Sequence, residues 1–142
     1  MEFSLHPQLD KDTSTIGEFP LCLALLHYDN AVPWVILVPK IADITELHQL
    51  PMKKQQQYLS ESQAVAHTLE RCFEPDKLNI GMLGNIVSQL HIHHIARFKS
   101  DPVWPGPVWG NTSGQKRSDS DQQQMLKQLR TELVKFPEFV SH

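Results

Sequence analysis

The chain has 142 residues, 40% of them hydrophobic, enough to enclose one core of common domain size. Its formal charge of -3, with no block of lysine and arginine, argues against a nucleic-acid surface but leaves room for a small anion held by local donors. No basic segment followed by an apolar run opens the chain, and no apolar stretch is long enough to span a bilayer, so a soluble, cytoplasmic protein without a membrane partner is expected.

Residues up to about Asp12 read as irregular, because Pro7 discourages regular structure early on. A short strand follows from Thr15 to Phe19-Pro20. Leu21 to Tyr28 is continuously apolar and too short for most helices, as expected of a strand buried on both faces. Asp29 and Asn30 break it, since their side chains bond nearby backbone, and Trp34 to Val38 returns as an antiparallel partner closed by Pro39. Asp43 to Leu50 reads as a short helix capped by Asp43, with Glu46 completing a capping-box pattern. Pro51 opens a long helix to about Phe73, in which Tyr58, Val65, Leu69 and Cys72 recur at helical spacing. Lys53, Lys54, Gln56, Gln57, Glu61, Gln63 and Glu70 form its solvated face, where His67 needs no role. Cys22 and Cys72 lie in apolar stretches without metal-like spacing and read as buried thiols.

After Pro75-Asp76, Lys77 to Gly84 reads as a strand that loosens into a glycine-bearing turn, and Leu90 to Ala96 as the next strand. The prolines and glycines between Asp101 and Gly110 rule out helix and central strand, leaving an ordered loop or lid. A polar connector, residues 113–120, leads to a last helix from about Asp119 with Leu126, Leu129, Leu133 and Phe136 in register, stopped by Pro137. One domain over 1–142 is expected, with a core at about 15–110 and a C-terminal loop and helix over 111–142.

The segment Gln89-Leu90-His91-Ile92-His93-His94-Ile95-Ala96-Arg97 carries the chemistry. On a strand, Gln89, His91 and His93 share one face with roughly 6.5 to 7 Å between neighbours, a spread suited to one phosphate-sized ligand. Leu90, Ile92 and His94 face the other way, and His94 reads as a partly buried, hydrogen-bonded histidine. A neutral imidazole with one nitrogen fixed by an acceptor leaves the other free to attack phosphorus, and a second imidazole two residues away can bind a phosphoryl oxygen or donate a proton. A bare His-x-His pair also suits packed histidines or metal ligation, the latter needing a third ligand such as Asp29, His27 or His94. The preceding Gly81, Gly84 and Asn85 favour phosphate, because backbone N–H groups there can approach an anion, with Asn85 and Ser88 adding neutral donors.

Together, Asn79-x-Gly81-x-x-Gly84-Asn85-x-x-x-Gln89-Leu90-His91-Ile92-His93, the upstream Val38-Pro39-Lys40 and the Trp-Pro-Gly-Pro-Val-Trp-Gly loop resemble the histidine triad (HIT) family, over Leu21 to Gly110. The resemblance implies an α+β fold: an antiparallel sheet of about five strands, one long helix packed on it and a C-terminal helix, commonly paired into a homodimer. It implies a nucleotide hydrolase or nucleotidyl transferase acting at the α-phosphorus of nucleoside phosphoramidates, dinucleoside polyphosphates or similar nucleotide conjugates. His91 would form a covalent nucleotidyl intermediate, and His93 would contact phosphate and supply a proton to the leaving group. Gln89 stands at the first triad position instead of histidine and cannot titrate. Asn85 falls at a phosphate-contacting position, with Ser88, Gly84 and Asn79 beside it, and Asp29 and Asn30 near a ribose-binding position. No cofactor is required, although a divalent cation accompanying a polyphosphate is compatible. The competing reading is a nucleotide-binding or regulatory protein with little turnover. Trp104 and Trp109 would either cover the site or fill an interface.

Overall fold

The structure is a computed structural model and describes residues 2–142. Helix α1 (Pro7–Asp12) leads into strands β1 (Thr13–Glu18), β2 (Cys22–His27) and β3 (Trp34–Pro39). The long helix α2 (Met52–Phe73) follows, then β4 (Lys77–Gly81), β5 (Ile92–Arg97), α3 (Asp119–Leu133) and a two-residue β6 (Val140–Ser141). The result is an α+β fold: one antiparallel six-stranded sheet in the order β4-β5-β3-β2-β1-β6.

Period-two alternation splits the central strands between two cores. Val35 and Leu37 of β3, Ala24 and Leu26 of β2 and Ile92 of β5 pack with Tyr58, Val65 and Leu69 of α2 and Leu126, Leu129 and Leu133 of α3. Trp34, Ile36 and Val38 point the other way, joining Leu25, Ile95, Leu9 of α1, Val87 and Val108. With helices on one face and α1 plus two loops on the other, β3 and β5 are buried throughout: β3 is an unbroken apolar run, and β5 buries His93, His94 and Arg97 with polar partners. None of the described helices is long and apolar enough to cross a membrane.

The differences from the sequence reading have local causes. Pro7 begins a helix, because it occupies the first helical position, where its missing N–H costs nothing, and the His6 ring caps the end by accepting the Gln8 N–H at 3.0 Å. The expected helix at Asp43–Leu50 is one 3-10 turn, Leu47–Gln49, with its capping box between Glu46 and Gln49; Asp43 sits at φ 59° and caps nothing. Glu61 is buried on α2, accepting the Leu21 and Cys22 amides at 3.0 and 2.8 Å and so holding the β1–β2 turn. Cys22 is buried and Cys72 half-buried. Strand β5 begins at Ile92, two residues later than expected. The sixth strand closes against Gly17, where a Cβ would collide with the Val140 carbonyl and lie 2.5 Å from the Phe139 ring.

Candidate active site

His91 immediately precedes β5 and His93 lies within it, paired with Ile36 of β3. Their rings meet edge to face, with centroids 4.9 Å apart, and each residue is only 7% exposed. The backbone carbonyl of Gln89, which can only accept, lies 2.7 Å from His91 Nδ1. His91 therefore carries its proton on Nδ1 and keeps the Nε2 lone pair free. The partner of His93 has the opposite polarity. The Trp34 indole N–H donates to His93 Nδ1 at 2.9 Å, so this ring carries its proton on Nε2. Burial, then the neighbouring His91, His27 and His94, depress the His93 pKa to about 3, so it is neutral at physiological pH. Side by side stand one imidazole with an open lone pair and one with an outward N–H.

Trp34 is itself held by a stack on His27 at the end of β2, with centroids 4.2 Å apart and planes 12° from parallel. The His27 Nδ1 accepts the Asp29 amide at 3.0 Å, and burial lowers this ring's pKa as well. These rings border a cavity of about 540 Å³. Its walls are Gln8, Leu9 and Asp12 from α1, the loop Leu83 to Val87, and Trp109 with Gly110. Trp109 packs edge to face on His93, with centroids 5.3 Å apart, and closely over Gly81, where a Cβ would lie 3.2 Å from the indole. A mostly apolar pocket with a few convergent polar groups is the usual build of a small-molecule site.

Of the residues singled out in the sequence, His91, His93, Gly84 and Asn85 meet at this cavity. Gly84 has φ 71°, a conformation that favours glycine in the turn. Gln89 lends its carbonyl to His91, but its side chain bonds to the N-terminal arm: Oε1 accepts the His6 N–H and Nε2 donates to the Ser4 carbonyl, both at 2.9 Å. Ser88 lines a small adjoining recess with Thr45 and Glu46, which shares Leu83, Gly84 and His91 with the cavity. Asn79 accepts from Arg97 at 2.9 Å, bracing the buried Arg97–Asp101 pair. Asp29 is buried, accepting the Ala31 amide and the Thr112 hydroxyl, and Asn30 borders a different cavity with Lys116 and Arg117. His94 is wholly buried on the helix side: Nδ1–H donates to the Ile92 carbonyl at 3.1 Å and Nε2 accepts the Ser62 hydroxyl at 2.8 Å. Trp104 lies over Arg97 instead of the cavity. Among the described residues, no three His, Cys, Asp or Glu side chains are grouped to hold a metal ion.

Trp34 and the α1 residues enter the site without having been singled out for it, and His27, considered only as a metal ligand, enters as the ring that stacks on Trp34. Trp34 reads in sequence as one more apolar strand residue, and only the β3–β5 register brings its N–H to His93. Helix α1 has a single buried residue, Leu9, and so offers no periodic signal.

A family model described as HIT domain matches residues 8–100. No curated protein matches the chain. Among solved structures, a histidine triad protein from Marinobacter aquaeolei is 43% identical, with 95% of this chain and 98% of that one covered and a TM-score of 0.91. One from Bradyrhizobium japonicum is 38% identical, with 94% and 99% covered and a TM-score of 0.91. A third, from Sinorhizobium meliloti, is 39% identical, with 92% and 96% covered and a TM-score of 0.89.

Proposed function

Because the chain belongs to the histidine triad (HIT) family, whose members are generally nucleotide hydrolases or transferases, we propose that it cleaves nucleotide conjugates at the α-phosphorus through a nucleotidyl-histidine on His91. One observation carries this reading: a buried imidazole with a free Nε2 beside a second, neutral imidazole with an Nε2–H, both opening on one cavity.

His91 Nε2 attacks phosphorus; the nitrogen–phosphorus bond forms as the bond from phosphorus to the leaving atom breaks, and the leaving group departs with that electron pair. The positive charge that develops on the His91 ring is stabilised by its Nδ1–H bond to the Gln89 carbonyl. His93 offers Nε2–H to a phosphoryl oxygen or the leaving atom. Water then attacks the same phosphorus and gives up a proton to solvent as the bonding pair returns to His91 Nε2. Asn85 and the backbone at Gly84, which line the same cavity, bind phosphate, and the apolar surface of Leu9, Ile36 and Val87 accepts the nucleoside. Substrates are nucleoside phosphoramidates, dinucleoside polyphosphates or related conjugates.

The test is to mix the protein with a panel of such substrates, quench, and search by mass spectrometry for a nucleotidyl adduct on His91. His91→Ala is expected to lose the adduct and to slow turnover by at least on the order of a thousandfold. Equal turnover by both proteins would overturn the mechanism. Nucleotide binding without adduct or turnover would leave a binding protein.

A further inference from the structure

We propose that the Gln89 side chain is a clasp that docks the N-terminal arm and so holds α1, one wall of the cavity, making Gln89 a positioning residue for substrate; the claim about substrate rests on the function proposed above. The carbonyl of Ser4 and the N–H of His6 flank Leu5 and are taken up together by one primary amide, at 2.9 Å each. A backbone edge offering the C=O of one residue and the N–H of the second residue on is what a neighbouring strand pairs with in a parallel ladder, so the amide stands in for a peptide group. An imidazole presents its donor and acceptor in divergent directions and cannot take both.

The clasped arm runs directly into the cavity wall. His6 caps α1 through its ring, Pro7 starts the helix, and Gln8, Leu9 and Asp12 reach the cavity. Phe3 and Leu5 pack against the apolar cluster that includes Leu9, Trp34 and Ile36, so the arm has an apolar footing and the amide fixes its register. Residue 89 thus divides its labour: its backbone carbonyl orients His91 and its side chain holds the wall. Substitution at 89 keeps the first and loses the second. The residue therefore acts on substrate binding more than on the chemical step.

The experiment compares wild type with Gln89→Ala and Gln89→His. Amide hydrogen exchange of the ligand-free proteins reads the clasp, and titration with a panel of nucleoside 5′-monophosphates reads the wall. Exchange at residues 4–12 is expected to rise about tenfold in both variants, while the amides of β2, β3 and β5 stay protected and report an intact fold. Monophosphate Kd is expected to weaken by about three- to tenfold, and kcat/KM for a cleaved conjugate to fall by more than kcat. Unchanged exchange in the arm overturns the clasp. A fall in kcat with unchanged Kd overturns the division of labour and gives Gln89 a direct part in the chemistry. A wild type that binds none of the monophosphates overturns the nucleotide reading, and the exchange data then decide the clasp alone.

Discussion

The indole N–H of Trp34 ends 2.9 Å from Nδ1 of His93, and both residues are buried, so one tautomer of the His93 ring is locked. A protonated His93 would have to place an N–H against an N–H. Burial and this bond thus act together to keep the ring neutral, with its single proton on Nε2.

Trp34→Phe keeps an aromatic ring to stack on His27 and removes only the donor. Nitrogen NMR of His93 is expected to show the Nε2–H form alone in wild type and a mixture of both tautomers in the variant. The His93 pKa should rise from about 3, since the Nδ1 lone pair becomes available for a proton. Turnover should fall by about tenfold, the scale of one buried hydrogen bond. A variant that retains a single tautomer would mean that Trp34 does not set it.

A ring held neutral in this way is a hydrogen-bond donor and a poor source of a full proton. Across a series of nucleoside 5′-phosphoesters with substituted phenols, the rate is expected to depend steeply on the leaving-group pKa, with the less basic phenols leaving faster. The dependence should flatten in Trp34→Phe, whose His93 can protonate. A flat series in wild type would assign His93 the role of general acid.

His94 predicts how stability responds to pH. Its burial outweighs its bond to the Ile92 carbonyl and depresses its pKa to about 4; His93, at about 3, and His27 shift the same way. Between these folded values and the ordinary histidine value, the unfolded chain binds protons that the native state refuses, so stability rises with pH and is lost as pH falls. For His94 the window runs from about 6.5 down to about 4, at about 1.4 kcal/mol per pH unit within it. Urea unfolding at pH 7 and pH 4.5 should show a clear loss in wild type. The loss should shrink in His94→Gln, which cannot titrate there. Equal losses in the two proteins would remove His94 from the account.

Gly17→Ala tests the edge of the sheet. A methyl group there would strike the Val140 carbonyl and the Phe139 ring, so β6 must move away from β1. The expected cost is about 1–3 kcal/mol by chemical denaturation, with faster hydrogen exchange confined to the C-terminal residues. An unchanged midpoint would mean that β6 contributes nothing measurable.

Elements whose burial follows their own apolar pattern were legible in the sequence. The runs of β2 and β3, the spacing of Tyr58, Val65 and Leu69 on α2, and the alternation that aligns His91 with His93 are all properties of a short window. What escaped depends on partners far along the chain. Glu61 sits in a polar run and reads as solvated, yet it satisfies two amides some forty residues away. Gln89 was visible as an odd residue on a histidine face, but its bonding partners lie more than eighty residues upstream. Asp29 and Asn30 were legible as a turn and illegible as to which side of the sheet they serve, because the adjoining bridge is made with Lys116.

The family match ends at residue 100, but the molecule cannot be cut there. Arg117 donates to the carbonyls of His27 and Val32 at 2.6 and 2.8 Å and to Gln122, which in turn donates to the Leu26 carbonyl at 3.2 Å. The hairpin that carries His27 and Trp34 is therefore braced from outside the matched segment. A fragment ending at residue 100 would leave those acceptors orphaned and remove Trp109 from beside His93. Grafting residues 8–100 onto another scaffold would carry His91 and His93 across and leave behind what holds their neighbours in place.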